Sequence, residues 1–308
     1  MKKAFTLVEL LVVIGIIAIL SGILLVSFGG GTESARNAQC LANMKSLASA
    51  VNTYGMSNGW YPPAGSFETM GMDTSRGMSN IRRHYYEKKG WISWNSRRTY
   101  ASNPQQHAAS LSWFTSCYNL DETTSEFALT NGVLWKFLSG NRGAYLCPAH
   151  NIACGPNMSP TWTYVMNCYF HWDKSKGRMP MDDGYWWGIE YGKLGKADRR
   201  LLFAEIPFTD AIATPSKFTD SASGTRNDCT LQNKSADSDG DGEYIGFNHK
   251  SGKKSVFAHV VFADGHVEKL TLPRNGLSVG DARDLTDWLC RGRDVSFDGT
   301  RYRELQQD

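Results

Sequence analysis

The hydrophobic pattern of the chain is dominated by its N-terminus. Lys2 and Lys3 precede a stretch, residues 10–28, in which every residue is apolar or small. This length approaches the ~20 residues that a helix needs to cross a hydrocarbon core of ~30 Å. By the positive-inside rule, the two lysines keep the N-terminus cytoplasmic and export the rest of the chain. A cleaved secretory signal is the less favoured interpretation, because its apolar region is shorter.

Glu9 carries the only charge between Lys3 and the end of this stretch. An ionised carboxylate within a membrane helix costs roughly 2.5–3.5 kcal/mol near the bilayer centre, and such residues usually serve a function. Glu9 is therefore a candidate functional residue, and the alternative is a plain anchor on which the charge is incidental.

A helical pattern continues after the apolar stretch. The three glycines at 29–31 predict an interruption, since each Gly costs about 1 kcal/mol relative to Ala, and Thr32 is a suitable N-cap for a new helix. Gly55 and the Asn58–Gly59 pair predict its end. The apolar positions with helical spacing predict a face that packs on a head domain; they are Ala35, Ala38, Leu41, Leu47, Val51 and Tyr54. The N-terminal helix thus ends near residue 58.

The remainder of the chain predicts a β-rich head. Strand-like segments at 161–170, 201–206, 256–262 and 266–272 alternate with turn signals. An antiparallel sheet packed on the N-terminal helix is the expected architecture, and the fold class is α+β. The polar, basic and aromatic stretch 73–106 is interpreted as a solvated loop region, with an anion-binding surface as the less favoured alternative.

The octapeptide from Ala4 to Leu11, AFTLVELL, resembles the class III signal of type IV pilins and type II secretion pseudopilins. The resemblance implies that a prepilin peptidase cuts between Ala4 and Phe5 and methylates the new amine, although Ala4 stands where Gly is usual. It also implies that Glu9 neutralises the N-terminal ammonium of a neighbouring subunit during assembly. The chain then divides into a leader at 1–4, a transmembrane and assembly helix at 5–28, an exported helix at 29–58 and an exported head at 59–308.

This resemblance implies a structural subunit of a type II secretion pseudopilus or a type IV pilus-like filament, and no enzymatic activity. The implied partners are other pilin-like subunits, the prepilin peptidase, an inner-membrane assembly platform and membrane lipid. The implied location is the bacterial inner membrane, with the head periplasmic or extracellular. The alternative is a membrane-anchored binding module for a glycan or surface ligand, which the ten tryptophans and thirteen tyrosines would suit. An exported hydrolase using Glu205, Asp210 or His266 has only scattered residues in its support.

Several head segments resemble a group of pilin-like proteins with a C-terminal His…Asp-Gly signature. The segments are CLANMKSL from Cys40, WYPP from Trp60, YLCP from Tyr145, TYVMN from Thr163, LFAE from Leu202 and FADGHV from Phe262. Fourteen residues separate His249 from Asp264, an interval longer than the usual pattern, which predicts an insertion around 250–255. We interpret Asp264–Gly265 as a hairpin turn and His249 as a hydrogen-bonding partner of that turn or of a backbone group. A metal or acid–base cluster of His249, Asp264 and His266 is the alternative.

Composition adds two constraints. A net charge of +3 over 308 residues is too small to indicate nucleic-acid binding. The seven cysteines are an odd number, so at least one thiol is unpaired or pairs between chains. Cys147 and Cys154 are the most natural local disulfide pair in an oxidising compartment. A metal site of Cys147, His150 and Cys154 is less favoured, since its spacing matches no standard zinc pattern.

The heptapeptide DSDGDGE at 237–243 resembles the start of a calcium-binding loop. Acidic oxygens at alternate positions and Gly at the sixth suit the six to eight oxygen ligands that calcium takes. The candidate ligands are Asp237, Asp239, Asp241 and Glu243. Asn248 stands where the bidentate Glu of such loops is expected, so a solvated acidic loop is an equally weighted alternative.

Overall fold

The computed structural model describes residues 7–64, 90–92, 126, 128–149, 160–170, 189–207, 230–231, 244–251, 255–273 and 275–305. One long helix and a mostly antiparallel sheet make up its main elements, which confirms the α+β class.

Helix α1 (Leu7–Asn58) runs without a break for 52 residues. The predicted interruption at 29–31 and the N-cap role of Thr32 are therefore wrong, because Thr32 lies within the helix. Nucleation is the costly step of helix formation, and a helix established on both sides of the glycines has to meet only their smaller propagation cost. The predicted end is confirmed: Asn58 is the last helical residue, and Gly59 adopts the positive φ of +77° that favours glycine.

The central sheet has the strand order β3-β1-β2-β5-β4, with β6 also paired to β5. Its strands are β1 (Tyr164–Asn167), β2 (Leu201–Glu205), β3 (Thr230–Leu231), β4 (His249–Ser251), β5 (Ser255–Phe262) and β6 (Val267–Thr271). The pairing is antiparallel throughout except between β1 and β3. The predicted strands at 201–206, 256–262 and 266–272 correspond to β2, β5 and β6, whereas 161–170 contains the shorter β1 followed by a 3₁₀ turn, Cys168–Phe170.

The C-terminal part contains elements that the hydrophobic pattern did not predict. Helix α2 (Val279–Cys290) has Ser278 as its N-cap. The Ser278 hydroxyl accepts a hydrogen bond of 3.0 Å from the backbone N–H of Asp281. Strands β7 (Val295–Phe297) and β8 (Tyr302–Glu304) form a separate antiparallel pair. Two further 3₁₀ turns, Trp135–Leu138 and Arg142–Tyr145, precede the sheet in the sequence.

The C-terminal half of α1 forms part of the hydrophobic core of the head. Its buried face contains Cys40, Met44, Leu47, Ala48 and Val51. Leu47, Val51 and the partly buried Tyr54 belong to the predicted stripe, which confirms that this part of the helix packs on the head. Ala35 and Ala38 are exposed, so the prediction is wrong for these two positions, where the helix has not yet reached the head.

The N-terminal part of α1 has a different environment. The large apolar side chains that the structure describes between Leu7 and Ile17 are 46–77% exposed. In the described part of the chain, we find no helix with both the length and the apolar character needed to cross a membrane.

The Asp264–Gly265 pair forms the turn between β5 and β6, as predicted. Gly265 has a φ of +94°, which favours glycine. A Cβ atom at this position would lie 3.2 Å from Asn52 Nδ2 and 4.0 Å from Ala48 Cβ. The hairpin turn therefore rests directly on the head-packed half of α1.

Candidate functional site

Four side chains with metal-binding chemistry meet in the core of the head. They are Cys40 on α1, Cys147 just after the 3₁₀ turn Arg142–Tyr145, Glu205 at the end of β2 and His249 at the start of β4. Each is at most 1% exposed. We call this group the Cys–Glu–His cluster.

The sheet topology brings Glu205 and His249 together. Strand β6 covers one edge of β5, so β2 and β4 share the other edge, with β2 beside residues 261–262 and β4 beside 255–257. Because β2 runs antiparallel to β5, its last residue Glu205 approaches the first residue of β4, His249. Tyr164 is the β1 partner of Glu205 in the register, so both side chains project from the same face of the sheet, towards Cys40.

Hydrogen bonds position the segment that carries Cys147. The backbone N–H of Cys147 donates to Thr163 Oγ1 at 2.6 Å. The Asn43 amide on α1 donates to the carbonyl oxygens of Leu146, at 2.8 Å, and Gly143, at 2.9 Å. The segment is thereby attached to both the sheet and the helix, and the Cys147 thiol lies beside Cys40.

The ligand atoms of the Cys–Glu–His cluster form a compact group. Glu205 Oε1 lies 2.5 Å from His249 Nε2, and Cys40 Sγ donates to the same oxygen at 3.1 Å. Cys147 Sγ lies 3.6 Å from His249 Nε2. All four ligand atoms fall within 4.8 Å of one another. Thiolate sulfur, imidazole nitrogen and carboxylate oxygen are all zinc ligands in proteins.

A second set of side chains orients these ligands. Asn37 Oδ1 lies 2.7 Å from His249 Nδ1 and accepts its hydrogen bond. The amide of Asn248 donates to Glu205 Oε2 at 2.8 Å. The hydroxyl of Tyr164 donates to Cys40 Sγ at 3.3 Å. Such outer partners fix the orientation and the protonation of metal-binding side chains.

Burial and mutual contact shift the pKa values within the cluster. Burial acts to raise the pKa of Glu205, but the charge of His249 and its hydrogen bond outweigh burial and hold the pKa below its ordinary value. Burial acts to lower the pKa of His249, and Glu205 outweighs it, so this pKa is raised. Burial raises the pKa of the Cys40 thiol. For Cys147, hydrogen bonds from Cys40 and His249 overcome burial and lower the pKa. With only protons in the cluster, Glu205 and His249 form a carboxylate–imidazolium pair.

The structure corrects the role predicted for His249. The side chain contacts Asn37, Glu205 and Cys147, where a bond to the Asp264–Gly265 turn or to a backbone group was expected. His249 opens β4, whose residues 249–251 pair in register with residues 255–257 of β5; the insertion around 250–255 stays a prediction. In the described part of the chain, the only potential metal-ligand group around His249 leaves out Asp264 and His266, so the cluster of these three residues is wrong. Asp264 and His266 instead contact each other at the turn, at 2.6 Å.

The other predicted site residues have different outcomes. Glu9 lies in the first turn of α1 and is exposed. The Cys147 thiol is free, while Cys154 lies outside the described residues, so the disulfide between them stays a prediction. The remaining candidates also lie outside the described residues: Ala4 and Phe5 of the processing site, His150, Asp210, and the calcium candidates Asp237, Asp239, Asp241 and Glu243.

Sequence reasoning missed that Cys40 joins Cys147, Glu205 and His249. The head segments that resemble other pilin-like proteins contained a usable signal, because they include cluster residues. Cys40 begins one of them, Cys147 lies in YLCP and Glu205 ends LFAE. His249 was singled out as the signature histidine, so all four cluster residues were already marked, but they were not predicted to lie together.

Comparison with known proteins finds one match, at the N-terminus. Residues 1–25 match the family model described as the prokaryotic N-terminal methylation motif. Comparison with curated proteins and with solved structures gave no significant match. The matched segment includes Ala4, Phe5 and Glu9, the residues of the predicted signal. The chain carries a prepilin-type N-terminal signal, as type IV pilin-like subunits do.

Proposed function

We propose that this protein is a structural pilin-like subunit of a type II secretion pseudopilus or a type IV pilus-like filament. The observation that carries the proposal is the methylation motif at residues 1–25, most of which lies within helix α1. In this proposal a prepilin peptidase cuts between Ala4 and Phe5, and residues 5–28 hold the protein in the inner membrane until it assembles. The head is displayed outside the cytoplasm.

The exposed part of α1 supports assembly through this segment. Leu10, Leu11, Val12, Val13 and Ile14 are consecutive helical residues, and each is 46–59% exposed. Five consecutive residues point in all directions around a helix. A helix that is apolar on every side is stable only when lipid or other helices surround it. A bundle of sister subunits provides such an environment.

Glu9 is proposed as the residue that sets the register between subunits. Its carboxylate would pair with the N-terminal ammonium that cleavage creates on a neighbouring subunit. Opposite charges in an apolar bundle are tolerated as a pair, whereas a single remaining charge costs roughly 3–5 kcal/mol. Misaligned subunits would leave the Glu9 carboxylate without its partner, so only one axial register between neighbouring subunits is stable.

Processing is tested by mass spectrometry of the mature N-terminus after expression with a prepilin peptidase. We expect a chain that begins at a methylated Phe5. An intact Met1, or cleavage near Gly29, would contradict the proposal. Ala4→Gly restores the residue usual in such signals and is expected to be processed at least as fast as the natural chain.

Assembly is tested separately with Glu9→Val. This variant should be cleaved and should remain in the membrane, but it should be lost from sheared filaments. Glu33→Ala is the matched control, since Glu33 lies on the same helix outside the motif and should leave assembly unchanged. Filament incorporation of Glu9→Val at the natural level would contradict the role of Glu9.

A further inference from the structure

We propose that Cys40, Cys147, Glu205 and His249 bind one zinc ion that fastens helix α1 to the head. The site is independent of the assembly role of residues 5–28. It is structural, because all four ligands are buried and would form a closed coordination shell without a position for substrate.

The distances between the ligand atoms are close to those around a tetrahedral ion. Zinc bonds of 2.0–2.3 Å place neighbouring ligand atoms about 3.3–3.8 Å apart. The contact between Cys147 Sγ and His249 Nε2 is 3.6 Å, and that between Cys40 Sγ and Glu205 Oε1 is 3.1 Å. The 3.1 Å contact is about 0.2 Å shorter than this range, and the 2.5 Å hydrogen bond between Glu205 and His249 must open by about 0.8 Å to reach it.

The outer hydrogen bonds leave the correct ligand atoms directed at the centre. Asn37 donates to the Lys250 carbonyl at 3.2 Å through its Nδ2, which leaves Oδ1 to accept from His249 Nδ1. With the proton on Nδ1, the lone pair of His249 Nε2 is available to the ion. Asn248 occupies Glu205 Oε2, so Oε1 is the ligating oxygen.

The negative charges of the deprotonated ligands favour binding of a dication. Two thiolates and one carboxylate carry three negative charges, which zinc reduces to one. The hydrogen bonds that Tyr164 donates to Cys40 and Asn248 donates to Glu205 stabilise the remaining negative charge. Two cysteines, a histidine and a glutamate are a softer set than calcium or magnesium takes, and four ligands of these types favour zinc.

Zinc here would join parts of the chain that are distant in sequence. Cys40 and Glu205 are separated by 165 residues, and Cys147 and His249 by 102. Cys40 is also the first described side chain of α1 that is buried in the head. The ion would therefore hold the point at which the helix enters the head, and its binding free energy would add to the stability of the fold.

The first test measures zinc and thiols in the full-length chain, purified from membranes in a mild detergent under reducing conditions. We expect about one zinc per chain, and alkylation of Cys40 and Cys147 only after zinc is removed with a chelator. Zinc removal should also lower the melting temperature. A purified protein that neither contains zinc nor binds added zinc chloride would overturn the proposal. A disulfide from Cys147 to Cys40 or to Cys154, found in a parallel preparation made without reductant, would overturn it as well.

The second test identifies the ligands. Cobalt added to the zinc-free chain should give the visible absorption of a tetrahedral site with thiolate ligands. Cys147→Ser should abolish the thiolate bands and reduce zinc to background. Cys290→Ser is the matched control, because Cys290 is also a buried cysteine but lies outside the cluster; it should keep both signals. Equal metal content in the two variants would overturn the proposal.

The third test does not depend on the core remaining folded after a ligand is removed. Asn37 is half-buried on the surface of α1, so Asn37→Leu should fold. Loss of an outer partner typically weakens metal binding about 10–100-fold, and we expect this loss in competition with a zinc chelator. Asn52→Leu, on the same helix, is the control and should bind zinc as the natural chain does. Equal zinc affinity in the two variants would overturn the proposed coordination.

Discussion

The two ends of helix α1 belong to one continuous element but have opposite environments. Between Leu7 and Ile17, the large apolar side chains that the structure describes are exposed on every side of the helix. From Cys40 to Val51, apolar side chains are buried along one stripe only. The difference shows what each end requires: the stripe needs a single partner, which the head supplies, whereas the end with apolar side chains on every side needs partners all around it.

Replacing one leucine in each half should give the largest contrast. Leu47 is fully buried, and Leu47→Ala should lower the free energy of unfolding of the head by about 2–5 kcal/mol, because a buried side chain is lost and a cavity remains. Leu11→Ala, at a position 59% exposed, should change it by less than about 0.5 kcal/mol. Denaturant unfolding of the full chain in detergent, followed by tryptophan fluorescence, measures both. Similar losses in the two variants would contradict the division of the helix.

A smaller effect is expected at Asn43, which joins the head-packed half of α1 to the segment that carries Cys147. Asn43→Ala removes two hydrogen bonds to the carbonyl oxygens of Gly143 and Leu146. The unfolding free energy should fall by about 1–3 kcal/mol, since at least one carbonyl loses its partner in a partly buried site. Ser46→Ala, on the exposed side of the same helix, is the control. An unchanged stability in Asn43→Ala would show that water replaces these bonds at no cost.

The same Gly→Ala substitution should have opposite signs in the two halves. At Gly31 a Cβ atom would have nothing within 4 Å, so Gly31→Ala should stabilise the local helix by about 0.5–1 kcal/mol. At Gly55 a Cβ atom would fall within the Tyr191 ring, so Gly55→Ala should destabilise the head by about 1–3 kcal/mol. Hydrogen exchange near residue 31 should slow in the first variant, and the melting temperature should fall in the second. A stabilising Gly55→Ala would mean that Tyr191 moves freely.

The smallest effect concerns pH and the hairpin turn that rests on α1. Burial acts to lower the pKa of His266, but hydrogen bonds with Asp264 and Glu268 outweigh it, so the pKa is raised. The contribution of His266 to stability is therefore complete below its unfolded pKa of about 6.5 and disappears as the pH rises through the folded value. His266→Gln should lower the melting temperature slightly at about pH 5.5 and leave it unchanged at about pH 9. A larger loss at the higher pH would reverse the sign and contradict this assignment.

Local sequence signals predicted the elements that depend on a few adjacent residues. The end of α1 at Asn58 follows from a glycine that adopts a positive φ. The β5–β6 hairpin follows from alternating strand residues around Asp264–Gly265. The glycines at 29–31 misled the prediction, because local propensity does not include the cooperativity of the helix on both sides.

The Cys–Glu–His cluster was beyond local reasoning for a different reason. Standard zinc patterns have closely spaced ligand pairs, and the four residues here come from four separate segments. Their proximity depends on β2 and β4 sharing one edge of β5 and on α1 crossing the same face of the sheet. That topology cannot be predicted from the sequence of any single segment.

The sequence by itself determined that the N-terminus carries a prepilin-type signal and an apolar stretch with one acidic residue, because such a signal is read from consecutive residues. Only the tertiary structure decided which half of the long helix is buried, and that Cys40, Cys147, Glu205 and His249 meet at its entry into the head. The physical reason is that burial and metal coordination depend on distances in space, which the chain sets through long-range pairing of its strands.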